Sequence, residues 1–308
     1  MAVMTKTTTT GATRSELRYR VNQNYVTGSY GPMRYWASEP RHGTPLVFVH
    51  GYGALIEHWR PIMRRVAREH TFFALDLYGF GYSARPAGLS SRERWAAQVA
   101  TFINKIVGGP AVVIGHSMGG VVVSELARSR PELVRGLVLV NSSGMQLYER
   151  PMSPADRVLL NLIGTPLVGE AVANVIATEW GVRQALLSAY HHKERVTPEL
   201  VETFAGPLER FGSQSYLNTT RNAENLVIKL EPGEYEGPAL LMWGSEDRSL
   251  PPTDANAIKR RALPQAEIKL LPDCGHCPFD EIPDLFADTL LRWVNGLGEH
   301  EKSTNTAV

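Results

Sequence analysis

The segment Gly115-His116-Ser117-Met118-Gly119 has a G-x-S-x-G pattern between an aliphatic run and an apolar helical pattern. A serine on a sharp turn between strand and helix is exposed above the sheet, where its hydroxyl can attack a carbonyl carbon. Side chains two residues to either side would collide in such a turn. The pattern therefore predicts that Ser117 is a nucleophile and that Gly115 and Gly119 are required for the turn.

A carboxylate follows the serine in the chain order that nucleophile-elbow enzymes use. Asp247 comes just after an aliphatic run that ends at Trp243, where a carboxylate can reach a histidine over a sheet edge. Its neighbour Glu246 is the alternative acid. The other strand end where such an acid could lie carries Asn141 and no carboxylate, which favours Asp247.

His276 lies in a loop between the last aliphatic run and the final helical pattern. A neutral imidazole can take the serine proton and pass it to a leaving group, while a carboxylate fixes its tautomer. We therefore predict a triad of Ser117, Asp247 and His276.

The loop His50-Gly51-Tyr52-Gly53 follows another aliphatic run. An oxyanion hole combines a backbone N–H from such a loop with the N–H of the residue after the nucleophile. The predicted donors are the backbone N–H groups of Tyr52 and Met118. We expect His50 to pack and hydrogen-bond locally.

Other conspicuous residues are expected to have no catalytic role. Cys274 and Cys277 form a C-x-x-C pattern, but they flank His276 and do not open a thioredoxin-like helix. Two cysteines and a histidine already assigned to the triad are too few ligands for zinc. No metal or cofactor is therefore expected. We expect Asp76 to be a structural turn residue, and the pair His191-His192 to be solvated.

Aliphatic runs alternate with longer stretches of helical spacing, which is typical of an α/β fold with a mostly parallel, doubly wound sheet. The stretch 18–37 is predicted to add an antiparallel hairpin at the sheet edge. The predicted core strands are 46–50, 72–75, 111–115, 136–140, 239–243 and 267–271.

The strand pattern stops between residues 142 and 237, and helical patterns take over from about residue 154. We predict a helical lid over 142–237, inserted between two parts of one core, 18–141 and 238–297. Residues 158–177 are expected to form two short apolar helices. These helices either pack on the core, or some of them line an acyl or isoprenoid pocket or contact a lipid surface.

The composition restricts the classes of function. The 308 residues are 43% hydrophobic, enough for one large core, and the net charge of +1 is spread without a basic face for nucleic acid. No secretory signal and no run of roughly 20 apolar residues for a membrane span is found. The chain is therefore expected to be soluble. Because it has only two cysteines, it is also expected to be cytoplasmic. The ends, 1–17 and 298–308, are expected to be a disordered arm and tail.

In their order along the chain, these motifs resemble the α/β-hydrolase superfamily in its lidded esterase and lipase branch. The resemblance covers about residues 34–294. It implies a carboxylic ester hydrolase that works through an acyl-enzyme without a cofactor. The expected partner is a small hydrophobic ester, and the oligomeric state is open.

A narrower resemblance rests on His50-Gly51-Tyr52-Gly53-Ala54 and His58-Trp59-Arg60. These segments look like hydrolases of phototrophs that include pheophytinase and chlorophyll dephytylase, which implies the phytyl ester of a chlorin as one candidate substrate. Those relatives often carry asparagine before the nucleophile, where this chain has His116.

Several alternatives stay open. A carbon-carbon bond hydrolase uses the same triad, although its usual relatives have a more glycine- and serine-rich oxyanion loop. A ligand receptor of this fold could retain the triad and turn over slowly. An aminopeptidase would need carboxylates in the lid, for which the candidates are Glu170, Glu179 and Glu202.

Overall fold

An eight-stranded sheet organises the chain in the computed structural model, which describes residues 22–88, 91–145, 165, 167–223 and 226–305. Its strands are β1 (Asn22–Gly28), β2 (Gly31–Ala37), β3 (Gly43–Val49), β4 (His70–Leu75), β5 (Ala111–His116), β6 (Val134–Val140), β7 (Ala239–Gly244) and β8 (Glu267–Leu271). The strand order is β1-β2-β4-β3-β5-β6-β7-β8. β1 and β2 form an antiparallel hairpin, β2 is antiparallel to β4, and the other pairs are parallel. The predicted fold class and the edge hairpin are confirmed.

Helices connect the strands and cover the sheet. Within the described residues they are α1 (Arg60–Val66), α2 (Arg92–Phe102), α3 (Met118–Ser129), α4 (Val168–Ile176), α5 (Glu179–Ala189), α6 (Pro198–Phe211), α7 (Gln214–Arg221), α8 (Thr253–Arg261), α9 (Pro278–Glu281) and α10 (Pro283–Asn305). Every residue of β4, β5 and β7 is buried. Strands covered on both faces have continuous apolar sequences, and so their positions could be predicted from the sequence.

The parallel strands determine where the predicted site residues meet. β3, β5, β6, β7 and β8 run in the same direction, so their carboxyl ends lie at one edge of the sheet. The loops after these ends carry Tyr52, Ser117, Asn141, Asp247 and His276. Residues far apart in sequence are thereby gathered along one edge.

The helices α4 to α7 lie between β6 and β7, in the region that the sequence predicts to be a lid. α4 falls within the predicted apolar stretch 158–177, whereas residues 158–164 and the predicted arm 1–17 lie outside the described residues. None of the described helices combines the length and the apolar character needed to cross a membrane.

The last helix is longer than the sequence analysis expected. α10 continues to Asn305, whereas a disordered tail was expected from residue 298. The polar composition of residues 298–308 suggested disorder, but polar residues can also continue a helix. Glu299, Glu301 and Lys302 are good helix formers, and they extend a helix whose costly first turns are already formed.

Asp76 anchors the turn that follows β4. Its Oδ1 accepts a hydrogen bond from the backbone N–H of Ile56 (2.8 Å), and its Oδ2 accepts one from Tyr82 (2.8 Å). The Arg34 Nε lies 2.7 Å from Oδ2, and both side chains are almost fully buried. A buried carboxylate with these partners holds the loops after β3 and β4 together, as its expected structural role requires.

Candidate active site

The backbone of Ser117 is strained in the turn between β5 and α3. Its φ of 53° and ψ of −120° are unusual for a residue with a side chain. A Cβ at Gly115 would lie 2.4 Å from the carbonyl oxygen of Gly119, and a Cβ at Gly119 would lie 2.4 Å from that of Val49. These contacts leave room for hydrogen only, so glycine at both positions permits the turn.

Asp247 and His276 are directly hydrogen-bonded. The Nδ1 of His276 lies 2.7 Å from the Asp247 Oδ2, and the Asp247 side chain is fully buried. The rival acid Glu246 is exposed and interacts with the hydroxyl of its neighbour Ser245. The structure therefore brings Asp247 to the histidine and leaves Glu246 at the surface.

Further donors surround the carboxylate of Asp247. The backbone N–H groups of Ser249 and Leu250 each lie 2.9 Å from Oδ1, and the Asn141 Nδ2 lies 2.7 Å from Oδ2. Burial by itself raises the pKa of Asp247, but the hydrogen bond from His276 and those from the other donors outweigh burial and lower the pKa. The carboxylate thus stays ionised beside the imidazole.

Asn141 was not predicted as a site residue and was considered only as a strand end without a carboxylate. Its side chain also accepts a hydrogen bond from the Gly244 N–H at 3.3 Å. Its φ of 41° directs the chain sharply away from β6. A signal was available, because a buried polar residue after a parallel strand lies at the same edge as Asp247.

The loop around His276 is held by a second buried carboxylate. The Glu281 Oε1 accepts from the backbone N–H groups of Gly275 (3.0 Å) and Cys277 (3.2 Å). Its Oε2 accepts from His191 (2.7 Å) at the end of the α5 segment, and the His276 N–H donates to the Ala189 carbonyl (3.0 Å). The position of His276 therefore depends on contacts with the α5 segment.

His116, the residue before Ser117, also supports this loop. Its Nε2 lies 2.9 Å from the His276 carbonyl oxygen, so Nε2 is the protonated nitrogen. The Nδ1 of His116 is buried and has no hydrogen-bond partner among the described residues. Burial, followed by repulsion from a charged His276, lowers the pKa of His116 well below its ordinary value.

A chain of hydrogen bonds joins His58 to the segment after α5 and to α9. The Tyr190 hydroxyl donates to the Asp280 Oδ2 (2.5 Å), and the His58 Nε2 lies 2.9 Å from that hydroxyl. Because the Tyr190 hydroxyl donates its proton to Asp280, the His58 Nε2 must be the donor in its contact with that hydroxyl. Burial, followed by repulsion from a charged His276, lowers the pKa of His58 to about 3. No sequence pattern indicated these contacts, which join residues 90 and 132 positions apart.

Ser117 and His276 both line a cavity of about 170 Å³ under the helices α4 to α7. Most of its wall is apolar, and Val182, Leu186, Phe204 and Leu208 of the helices α5 and α6 are among the lining residues. Tyr52 lines it as well, and its hydroxyl lies 2.9 Å from the Thr220 hydroxyl of α7. The cavity can accept a hydrophobic group next to the serine.

The two predicted oxyanion donors flank the serine. Tyr52 belongs to the loop after β3, in which a Cβ on Gly51 would lie 2.9 Å from the Ser117 Cβ. Met118 is the first residue of α3, and the first N–H groups of a helix have no acceptor within the helix. This arrangement is compatible with donation to an oxyanion by both backbones.

Both cysteines are buried and unbonded to each other. Burial raises the pKa of the Cys274 thiol to about 12 and that of Cys277 well above its ordinary value. A thiol that stays protonated is a poor nucleophile and a poor redox partner. These environments agree with the expectation that the C-x-x-C pattern has no dithiol function.

His191 and His192 depart from the expectation that they are solvated. Their side chains are half-buried, and both rings face Asp273. The pairing arises because the segment after α5 packs on the loop after β8, which could not be inferred from local sequence.

A family model described as "Alpha/beta hydrolase family" matches residues 46–289. Lipase 1 of Psychrobacter immobilis is 28% identical over 257 residues, which cover 80% of this chain and 75% of the lipase. The 2-hydroxymuconate semialdehyde hydrolase of a Pseudomonas strain (CF600) is 26% identical over 240 residues, covering 76% of this chain and 81% of that enzyme.

Solved structures share the fold. The epoxide hydrolase CorEH superposes with a TM-score of 0.76 and 21% identity, covering 90% of this chain and all of that one (100%). At this identity, the likeness concerns the fold.

The buried neutral histidines predict a pH dependence of stability. The pKa of His58 falls from 6.5 in the unfolded chain to about 3 in the folded one. Stability from this group is complete above pH 6.5 and decreases as the pH falls toward 3, because the unfolded chain binds the proton first. In His58→Gln, the free energy of unfolding at pH 8 should be lower than in the wild type. Between pH 6.5 and 5 it should fall less steeply than in the wild type, and the two slopes should differ by up to about 1.4 kcal/mol per pH unit.

Urea unfolding across this pH range measures the effect. His42→Gln, at an exposed histidine, is the control and should follow the wild type. An equal decline in His58→Gln and wild type would contradict the prediction.

Proposed function

The chain belongs to the alpha/beta hydrolase family, and from that premise we propose that it is a serine hydrolase that cleaves a carboxylic ester with a hydrophobic acyl or alcohol group. The observation that carries the proposal is the 2.7 Å contact between His276 Nδ1 and Asp247 Oδ2, beside a cavity that Ser117 and His276 both line.

In the proposed mechanism, the Ser117 hydroxyl attacks the ester carbonyl while the Nε2 of His276 takes its proton. The Asp247 carboxylate holds the Nδ1 proton and stabilises the imidazolium. The N–H groups of Tyr52 and Met118 donate to the oxyanion, and His276 then protonates the leaving alcohol. Water activated by His276 finally releases the acid from Ser117.

The cavity wall supports a hydrophobic substrate. Apolar side chains of α5 and α6 line the cavity beside the serine. One of the relatives is named Lipase 1, which indicates that its substrates are lipid esters. A chlorin phytyl ester would be the extreme case of such a substrate, and we retain it as a candidate from the sequence resemblance.

The proposal includes a lipid surface as the source of the substrate. Leu167 is 82% exposed, Trp180 65% and Val175 55%, and the neighbouring Ile176 is partly exposed while it also lines the cavity. Apolar side chains next to a cavity mouth favour contact with lipid.

This lipid contact is tested by flotation with phosphatidylcholine vesicles. Trp180→Ser should reduce the fraction of protein that floats. Tyr25→Ser, at an exposed aromatic residue of the distant β1, should leave it unchanged. Equal flotation of all three proteins, or of none, would exclude a specific contact through this face.

A carbon-carbon bond hydrolase is the second candidate, because the relative from Pseudomonas is named a 2-hydroxymuconate semialdehyde hydrolase. The aminopeptidase alternative is less well supported. Glu179 and Glu202 are exposed, and Glu170 pairs with Arg221, so these carboxylates are not directed at a substrate amine near the serine.

Single substitutions test the triad. Ser117→Ala should lower kcat for p-nitrophenyl butyrate by a factor on the order of 10⁶. Asp247→Asn should lower it by about 10⁴ with the fold retained, because an amide favours the wrong tautomer of His276. Glu246→Gln is the matched control and should retain the wild-type rate. Steady-state kinetics with circular dichroism measures these effects, and damage by Glu246→Gln alone would identify Glu246 as the acid.

A substrate panel tests the specificity. Serine-dependent release of the chlorin acid and phytol from pheophytin a, followed by chromatography, would identify a dephytylase. Cleavage of p-nitrophenyl butyrate and palmitate alone would leave a general carboxylesterase. Cleavage of 2-hydroxymuconate semialdehyde without any ester would favour the second candidate, and no turnover at all would favour a receptor.

A further inference from the structure

Outside the cavity, three side chains with metal-binding atoms face one another across two loops. His191 and His192 follow α5, and Asp273 follows β8. Ligand atoms of the three side chains all lie within 4.8 Å of one another. The Asp273 carboxylate points between the two rings: its Oδ1 lies 3.4 Å from the His191 Nε2, and its Oδ2 lies 3.5 Å from the His192 Nε2.

These two separations are longer than good hydrogen bonds. They match instead the spacing between ligands on one metal ion. With metal–nitrogen and metal–oxygen distances of about 2.1 Å, two ligand atoms in a tetrahedral site lie roughly 3.4 Å apart. The carboxylate is therefore close enough to bind an ion together with either ring, once the His192 ring turns from the Asp273 carbonyl toward the carboxylate.

His192 also has the outer partner that metal-binding histidines usually have. Its Nδ1 lies 3.1 Å from the Glu194 Oε1, while its Nε2 faces Asp273. A carboxylate on one ring nitrogen orients the ring and makes the other nitrogen a better ligand. The Nε2 now donates to the Asp273 carbonyl at 2.8 Å, and an ion would replace that proton.

We propose that His191, His192 and Asp273 form a binding site for Zn²⁺ or a similar transition-metal ion, completed by water. Two imidazoles and one carboxylate suit zinc, whereas Ca²⁺ and Mg²⁺ prefer oxygen ligands throughout. The side chains of the two histidines are 34% and 27% exposed and that of Asp273 is 73% exposed, so an ion can enter from solvent.

An ion at this site would link the lid to the loop of the proposed base. Asp273 lies three residues before His276, and the N–H groups of His191 and His192 donate to Glu281, which also accepts from Gly275. Zinc would therefore fasten the segment after α5 to the His276 loop. The site itself does not depend on the proposed ester hydrolysis.

The test is calorimetric titration of the untagged, EDTA-dialysed protein with ZnCl₂, with MgCl₂ as the control salt. Untagged protein is required because a histidine tag binds zinc. The wild type should bind a single Zn²⁺, and saturating zinc should raise Tm because the ion binds only the folded chain. His192→Gln and Asp273→Asn should abolish both effects, and Glu194→Gln should weaken the affinity about 10- to 100-fold.

Two controls separate this site from other zinc ligands. His42→Gln, at an exposed histidine elsewhere, should bind zinc as the wild type does. The double variant Cys274→Ser/Cys277→Ser should do so too. Loss of binding in the cysteine variant with retention in His192→Gln and Asp273→Asn would overturn the proposal. Failure of the wild type to take up zinc would overturn it as well.

Discussion

The strained backbone of Ser117 is the constraint on which the rest of the site depends. A residue in a sparsely populated region of φ and ψ costs about 1–3 kcal/mol and persists only where its surroundings determine it. Here β5 and α3 are pressed together through Gly115 and Gly119, and the Ser117 carbonyl accepts from Gly120 and Ser143. These contacts fix the backbone of Ser117, so the other groups must be positioned around it.

His276 is positioned next to the serine by contacts from other segments of the chain. Glu281 holds the backbone on both sides of the histidine, and His116 donates to the histidine carbonyl. The remaining backbone contact is the Ala189 carbonyl, which belongs to the helices over the cavity. A movement of α5 would therefore remove an acceptor from the His276 N–H, so that covering the cavity and positioning the histidine are coupled.

The features that could be predicted from the sequence are local. A buried parallel strand has an apolar sequence, and the elbow has glycine at fixed spacing, so the strands and Ser117 followed from patterns a few residues long. Asn141 contacts Asp247 across 106 residues, and Glu281 joins the His276 loop to His191 across 90 residues. The position of Asn141 after β6 indicated the edge of the sheet at which it lies, but its contact with Asp247 depends on the pairing of β6 with β7. The length of α10 was missed for another reason, because polar residues that suit a disordered tail also suit a helix.

The charge balance around His276 follows from the neutrality of the histidines near it. Burial keeps His50, His58 and His116 uncharged, with pKa values of about 4 for His50 and about 3 for His58. A charged His276 further opposes protonation of His58 and His116. The apolar surroundings that suit a hydrophobic group thus also keep these three histidines uncharged. In the proposed mechanism, the ionised and fully buried Asp247 is the group that stabilises an imidazolium at His276.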